Sequence, residues 1–415
     1  MEILIIAIVL ILISLDSFFT LYLGWLNHKN RNQELPEIIA DVYNQEEYQK
    51  FQNYHVDNFK ETWKYILINF VILIGLLVSK AFVLINQVAA NISDNLIIQS
   101  LLVILFFYLI IFVVSLFQNY YKTFVIEEKY GFNKMTKKLF IIDQVKKFFL
   151  TIILVGGLAY LILDVYLSAS QYFFFYVWGI LVLVLIFINL SYTKIIIPIF
   201  NKLKPLEDST LKTKINQFAK EIGYEISKIS VMDASKRSTK LNAFFSGIGK
   251  TKRIVLFDTL IEKMTEEEIV AVLAHEIGHN KHKHIIFNLF QTIILLSVYV
   301  LGAMFFLSFN LLSEAFGFAS INYGFNLLVY FALLSPILLF LNLLLSYISR
   351  KFEYQADAYA ANNYDSEQII SALKVLSREN FSNLTPHPLY VKFYYSHPPL
   401  LDRINHIKSL KKDKI

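Results

Sequence analysis

Seven stretches of this 415-residue chain are long and apolar enough to cross a lipid bilayer. Inside a bilayer every backbone polar group needs a partner within the protein, so such segments are expected to be helices. The stretches lie near residues 3–24, 66–87, 98–118, 148–168, 172–193, 285–312 and 324–349. No basic residue precedes the first one and no small-residue cleavage site follows it, so it is not expected to be a cleaved signal. The pattern predicts an all-α-dominated polytopic membrane protein.

Positive charge marks one side of the predicted membrane. All but one of the 39 Lys and Arg residues fall in the connections near 25–65, 119–147, 194–284 and 350–415. Because successive spans cross the membrane in opposite directions, these four connections lie on the same side of it. The exception, Lys80, lies inside the predicted second span. Cytosolic connections collect Lys and Arg, so this side is assigned to the cytosol. The excess of positive charge suits a surface of anionic lipid, and no nucleic-acid-binding module is recognisable.

The most specific motif is HEIGH at residues 275–279, just before the sixth span. Residues four apart share one face of a helix, so His275 and His279 can bind the same metal ion. Glu276 then faces a water molecule activated by that metal and can take its proton as a general base. An acidic helix start at 265–268 predicts a capped helix. The chain has no cysteine, so His and carboxylate groups must hold the metal.

A second motif, RKFEYQAD at residues 350–357, supplies the third metal ligand. Glu353 completes a His-His-Glu set that is typical of zinc and leaves a fourth position for water, so one zinc ion per chain is expected. Asp357, one helical turn later, can accept a hydrogen bond from the free ring nitrogen of a ligating His. Arg350, one turn earlier, can neutralise or orient a carboxylate on the same face.

Spans six and seven lie between the two metal-binding motifs. Both motif helices must therefore run into the membrane or end close against it, which places the metal site at the cytosolic end of the helical bundle. His282 and His284 follow the first motif closely, and they are interpreted as residues of the membrane interface rather than as further ligands.

The connection at 194–284 is predicted to fold outside the membrane. It should contain one helix and three strands, near 207–223, 229–232, 241–246 and 253–257. The last two strands form a hairpin joined through a glycine- and lysine-rich turn at 247–252. Such a hairpin can bind an extended peptide as an added strand, with Asn242, Ala243 and Phe244 as substrate contacts, or it can serve packing alone.

The C-terminal connection is expected to be mostly helical and carries the run SHPPLLDR at residues 396–403. A His before two prolines sits on a stiff, extended backbone and can hold a fixed direction. His397 or Arg403 can therefore stabilise the oxyanion that forms when a peptide carbonyl is attacked.

Together these motifs resemble the type I CAAX prenyl protease family, integral-membrane zinc metalloendopeptidases of the gluzincin kind. The similarity covers segments at 125–136, 238–245, 252–259, 275–279, 349–357 and 396–403. It implies seven membrane helices forming an α-barrel around a large chamber, with a small α+β zinc-metalloprotease domain at the cytosolic side. It also implies three zinc ligands, His275, His279 and Glu353, and a general base, Glu276. It places Asn242 on a substrate-binding strand, and it implies transition-state or substrate contacts at His397 and Arg403.

The resemblance implies removal of the last three residues from prenylated proteins that end in Cys-a-a-X. The expected partners are a peptide or protein substrate and the lipid bilayer. The chain is short for a eukaryotic member and lacks a clear dilysine retrieval signal. The alternative is therefore a bacterial homologue in membrane-protein quality control, located in the inner membrane instead of the endoplasmic reticulum membrane.

Four segments are predicted along the chain. They are 1–193 with membrane helices one to five, 194–284 with the hairpin and the HExxH helix, 285–349 with helices six and seven, and 350–415 with the third zinc ligand. A zinc transporter remains a rival, although it would need neither the hairpin nor the His-Pro-Pro run. A site-2-type protease would need an Asp-Gly setting, which this sequence lacks, and a seven-span receptor leaves the metal motifs unexplained.

Overall fold

The helices of the computed structural model, which describes residues 1–226, 228–246 and 253–412, account for most of the chain. They are α1 (Glu2–Asn30), α2 (Gln45–Val78), α3 (Ala81–Ile92), α4 (Leu96–Glu127), α5 (Lys137–Ser168), α6 (Ser170–Phe200), α7 (Thr210–Glu221), α8 (Asp258–Lys263), α9 (Glu266–Lys281), α10 (His284–Leu307), α11 (Asn310–Ala315), α12 (Tyr323–Asn363), α13 (Ser366–Glu379), α14 (Pro388–Tyr394) and α15 (Leu400–Lys412). Among these described helices, α1, α2, α4, α5, α6, α10 and α12 are long and apolar enough to span a membrane, which confirms the polytopic fold.

The predicted second span is divided in the structure. It was expected near 66–87, but α2 ends at Val78 and α3 begins at Ala81. Between them Lys80 has a φ of 58°, a left-handed conformation that L-residues rarely adopt. Its side chain lies against Gly317, where an added Cβ would be 3.4 Å from the ammonium nitrogen. Lys80 therefore belongs to a turn that contacts the α11–α12 connection, and its expected place inside a span was wrong.

Within the described part of the chain, four short strands form one sheet outside the spans: β1 (Leu203–Pro205), β2 (Ile229–Met232), β3 (Ala243–Ser246) and β4 (Arg253–Phe257). The order is β1-β2-β4-β3, with β2 and β4 parallel and the other pairs antiparallel. The predicted hairpin is present, because Ala243 pairs with Leu256 and Phe245 with Ile254. Its turn, 247–252, lies outside the described residues. The strand β1 was not predicted, and it ends in Pro205, which an edge strand tolerates.

The largest apolar cluster among the described residues holds most of the extramembrane elements together. Completely buried residues from α7, β4, α9 and α15 meet in it, namely Ile215, Leu256, Leu273 and Ile404. Each buried side chain of this size contributes roughly 1.5–3 kcal/mol. The core fixes α9 against the sheet and against the C-terminal helices, so the residues of the HEIGH motif have a rigid support.

Candidate metal site and active-site cavity

The helix that carries the HEIGH motif begins with the predicted cap. Thr265 Oγ1 accepts a hydrogen bond from the backbone N–H of Glu268 at 3.2 Å, and Glu268 Oε2 accepts one from the N–H of Thr265 at 2.9 Å. Further along α9, Gly278 lies so close to α12 that an added Cβ would be 3.0 Å from the Cα of Ala356. The glycine therefore lets the two motif-bearing helices approach each other closely.

Three side chains from these two helices converge on one point. The Nε2 atoms of His275 and His279 are 3.1 Å apart. Glu353 Oε2 lies 3.4 Å from His275 Nε2, and Glu353 Oε1 lies 3.3 Å from His279 Nε2. One ligand atom from each residue lies within 4.8 Å of the other two, which is the spacing expected around a metal ion. The structure thus brings together the three ligands that the sequence predicts.

The state of Glu353 tests whether a metal fits this cluster. Its Oε2 atom is buried and accepts no hydrogen bond from any described residue. A buried polar atom without a partner costs roughly 1–3 kcal/mol, more for a charged group. A cation among the three side chains would satisfy this oxygen and both imidazoles. Two imidazole nitrogens and one carboxylate oxygen form a donor set that suits zinc.

The outer nitrogen of His275 faces a second carboxylate. Asp357 Oδ1 lies 2.9 Å from His275 Nδ1, which is the pairing expected from the spacing of the second motif. Burial by itself would lower the pKa of His275, but the carboxylates of Asp357 and Glu353 outweigh it and raise this pKa to about 9. The surroundings of the ring therefore favour positive charge, which a bound metal cation would supply.

Arg403, from α15, lies behind the cluster. Its Nη2 atom is 2.6 Å from Asp357 Oδ1, 3.4 Å from His275 Nδ1 and 3.6 Å from Glu353 Oε2. Its Nε atom donates to Asp357 Oδ2 at 2.8 Å. The guanidinium lines the cavity described next, but its two shortest hydrogen bonds go to Asp357 and its third, longer one goes to His275. These contacts suit the orientation of His275 better than contact with substrate.

A cavity of about 570 Å³ opens beside the cluster. Its wall includes His275, Glu276, His397 and Arg403, together with Asn242 and Ala243 at the start of β3. Glu276 is half-buried in this wall. Burial raises the pKa of its carboxyl above the ordinary value, although the neighbouring imidazoles oppose the shift. A carboxylate with a raised pKa beside a metal-binding cluster is suited to accept and release a proton.

His397 reaches the cluster from the His-Pro-Pro segment. Its Nε2 atom is 3.3 Å from Glu353 Oε1, and its Nδ1 atom is 2.9 Å from the hydroxyl of Ser396. The side chain is 63% exposed, so it stands free in the cavity with one nitrogen directed at the cluster. This placement allows His397 to contact a substrate beside the metal.

Arg350 has a different partner from the one expected. It was predicted to neutralise or orient a carboxylate, but its Nη1 atom donates to the backbone carbonyls of Val391 at 3.0 Å and Tyr395 at 2.8 Å. The reason is that α14 packs against this face of α12, and its last carbonyls need donors. Arg350 therefore anchors the segment that leads into His397.

The three residues expected on the substrate strand separate onto two faces. Asn242 and Ala243 line the cavity, whereas Phe244 does not. The ring of Phe244 packs near Tyr192 of α6 and Phe257 of β4. The strand begins at Ala243, so Asn242 lies before it, and the side chains of Ala243 and Phe244 point to opposite faces of β3. The prediction of a substrate contact at Phe244 is therefore not supported by its position.

Sequence reasoning missed one neighbour of the cluster. His284 was interpreted as a residue of the membrane interface, but it is only 3% exposed, and its Nδ1 atom is 2.9 Å from His279 Nδ1. Its spacing of five residues from His279 does not match a helical face, so this contact could not be predicted from the spacing. The turn between α9 and α10 brings it back against the motif.

Comparison with known proteins agrees with the membrane-spanning fold and with the metal-binding cluster. Residues 25–202 match the family model described as CAAX prenyl protease N-terminal, five membrane helices, and residues 205–411 match peptidase family M48. CAAX prenyl protease 1 of Saccharomyces cerevisiae is 34% identical over 407 residues, which cover 93% of this chain and 86% of the relative. The Dictyostelium discoideum homologue is 32% identical over 95% of this chain and 94% of its own length.

A solved structure shares the whole fold. The crystal structure of S. mikatae Ste24p superposes with a TM-score of 0.89 at 30% sequence identity and covers 98% of both chains. The fold and the cluster thus define an integral-membrane metallopeptidase. The chain belongs to the type I CAAX prenyl protease family, with a peptidase unit of family M48, and it is a membrane-embedded metalloendopeptidase.

Proposed function

We propose that this enzyme removes the last three residues from prenylated proteins that end in Cys-a-a-X. The observation that carries the proposal is the metal-binding cluster in the wall of a cavity of about 570 Å³ that also exposes the start of β3. Relatives similar over most of this chain are named CAAX prenyl protease 1. The cavity is the proposed site of the peptide end, and the family supplies the substrate class.

We assign the metal site to His275, His279 and Glu353, which would hold one zinc ion per chain. Such an ion lowers the pKa of water and polarises a carbonyl group. Glu276 takes the proton from the attacking water and later gives it to the leaving amine. Its raised pKa supports both steps, because the group must hold the proton between them.

His397 is the proposed oxyanion donor, since its imidazole reaches the cluster from the cavity side. Arg403 and Asp357 keep the His275 ring in place through paired hydrogen bonds. In the described residues β3 pairs only with β4, so its second edge is available to a peptide. Asn242 and Ala243 are the proposed contacts along that edge, because they line the cavity.

We also propose that the catalytic segments face the cytosol. Lys and Arg collect on the side that holds the sheet, α9 and α13, which supports this orientation. In a eukaryotic cell the membrane would be that of the endoplasmic reticulum. The proposed organisation is 1–193, 194–284, 285–349 and 350–415, with the second and fourth segments building the site.

The test is cleavage by the purified protein of two peptides with the same Cys-a-a-X end, one farnesylated and one not. Mass spectrometry should find a released tripeptide and a shortened farnesylated peptide, with no product from a Glu276→Gln control. Release from both peptides, or cuts at internal bonds alone, would favour membrane-protein quality control. Metal uptake by vesicles without any cleavage would favour the transporter.

A further inference from the structure

Two side chains outside the ligand set form a chain of contacts to His279. The Nδ1 atoms of His279 and His284 are 2.9 Å apart. On the far side of the second ring, His284 Nε2 is 2.9 Å from the Oε1 atom of Gln355. Gln355 lies on α12, two residues after Glu353, so the contacts link the two helices that carry the metal motifs.

The chemistry of Gln355 constrains which atoms donate and which accept along this series of contacts. Gln355 Oε1 can only accept, so His284 must carry its proton on Nε2. The Nδ1 atom of His284 is then an acceptor, and His279 must carry its own proton on Nδ1. That tautomer leaves the lone pair of His279 Nε2 free toward the metal cluster. If the Gln355 amide were reversed, the same logic would put a proton on His279 Nε2 and block the ligand.

The backbone and the packing hold His284 in this position. Lys283, between α9 and α10, has a φ of 59°, a left-handed conformation that turns the chain back sharply. The ring of His284 then stacks on Phe352 at 4.0 Å between centroids and 10° between planes. A buried ring held by a turn, a stacked neighbour and two hydrogen-bond partners has a single orientation.

We propose that His284 and Gln355 are positioning residues that select the tautomer of His279 which binds the metal. This inference rests on the metal site assigned above. The Nδ1 atom of His275 contacts the carboxylate of Asp357, whereas the Nδ1 atom of His279 contacts the neutral imidazole of His284. The two histidine ligands therefore differ in their outer partners. Loss of such a partner typically weakens metal binding by about tenfold to a hundredfold.

The experiment compares two substitutions of the same residue. His284→Phe keeps a ring on Phe352 but removes the acceptor, whereas His284→Asn removes the ring and places Oδ1 where Nδ1 was. Zinc affinity of the purified chains is measured by competition with a chelator of known affinity, and thermal unfolding is measured without metal. We expect His284→Phe to lose about tenfold to a hundredfold in affinity while His284→Asn stays close to wild type. The opposite ranking, or equal affinities, would show that the ring matters only for packing.

A second pair of substitutions, at Gln355 on α12, keeps the test decisive if His284→Phe does not fold. Gln355→Glu retains an acceptor, and Gln355→Leu removes it from a residue that is only half-buried. We expect zinc affinity to fall in Gln355→Leu and to hold or rise in Gln355→Glu. Equal zinc affinity in both variants would overturn the proposed selection of the His279 tautomer and leave the metal site itself in place. A wild-type chain that binds no zinc would overturn the metal site itself, and with it this inference.

Discussion

Arg403 holds Asp357 through two parallel hydrogen bonds, from Nε to Oδ2 at 2.8 Å and from Nη2 to Oδ1 at 2.6 Å. Asp357 Oδ1 also faces His275 Nδ1, so α15, α12 and α9 meet at one carboxylate. Asp357 is completely buried. A charge in this position is stable only with its partner in place.

Replacing Arg403→Met should therefore destabilise the protein strongly. Removal of one member of a buried ion pair typically costs about 3–5 kcal/mol, because the remaining charge stays buried. Arg403→Lys should recover only part of this loss, since an ammonium cannot form both bonds. Thermal and chemical unfolding of the purified variants measure the effect. Arg378→Met is the control, because Arg378 pairs with Glu379 at the surface and should change stability by less than about 1 kcal/mol.

Glu276→Gln should remove activity and keep the metal. The amide cannot accept the proton from water, so peptide hydrolysis should fall by about a hundredfold to ten-thousandfold. The zinc ligands are unchanged, so zinc content should stay near one ion per chain. Peptide turnover and metal analysis of the same preparation test both halves. Turnover close to that of wild type would exclude Glu276 as the base.

Glu353→Ala should lower metal affinity, because it removes a ligand and not a base. The variant should lose zinc during dialysis against a chelator concentration that leaves Glu276→Gln loaded. Treatment of wild type with a stronger chelator should abolish hydrolysis, and added zinc should restore it. If Glu353→Ala held zinc as tightly as wild type, the assigned ligand set would be incorrect.

His397→Ala should slow the chemical step and leave binding largely intact. Charge develops on the substrate oxygen only in the transition state, so a donor to it acts on kcat more than on KM. Removal of one such donor typically costs about 3 kcal/mol, roughly a hundredfold in rate. His406→Ala is the control, because its ring packs on Tyr354 outside the cavity wall. Loss of zinc in His397→Ala would identify His397 as a ligand or a structural support.

Gly278→Ala should separate the two motif helices. The new methyl would lie 3.0 Å from the Cα of Ala356 and the Cβ of Tyr359. Overpacking of this kind typically costs about 1–3 kcal/mol, and the shift should also weaken zinc binding. Gly179→Ala is the control, because nothing lies within 4 Å of an added Cβ there. Thermal unfolding and zinc affinity should change in the first variant and stay close to wild type in the second.

Local physical constraints made several features predictable. The seven spans follow from the length of apolar runs, and the capped helix of the HEIGH motif follows from Thr265 and Glu268. The distance of four residues between His275 and His279 fixes a shared helical face whatever surrounds it. The strand-like runs at 241–246 and 253–257, joined by a glycine- and lysine-rich turn, likewise predicted the hairpin. Each of these features depends on residues close together in the sequence.

The remaining features depend on contacts between distant segments. Packing of α14 against α12 directs Arg350 to the carbonyls of Val391 and Tyr395. The left-handed turn at Lys283 carries His284 back to His279, and its spacing alone gives no hint of that contact. The sequence by itself determined which residues can bind a metal. Tertiary packing of α9, α10, α12 and α15 decided which side chains orient these ligands. The reason is that the ligands and the side chains that contact them meet only when the helices assemble.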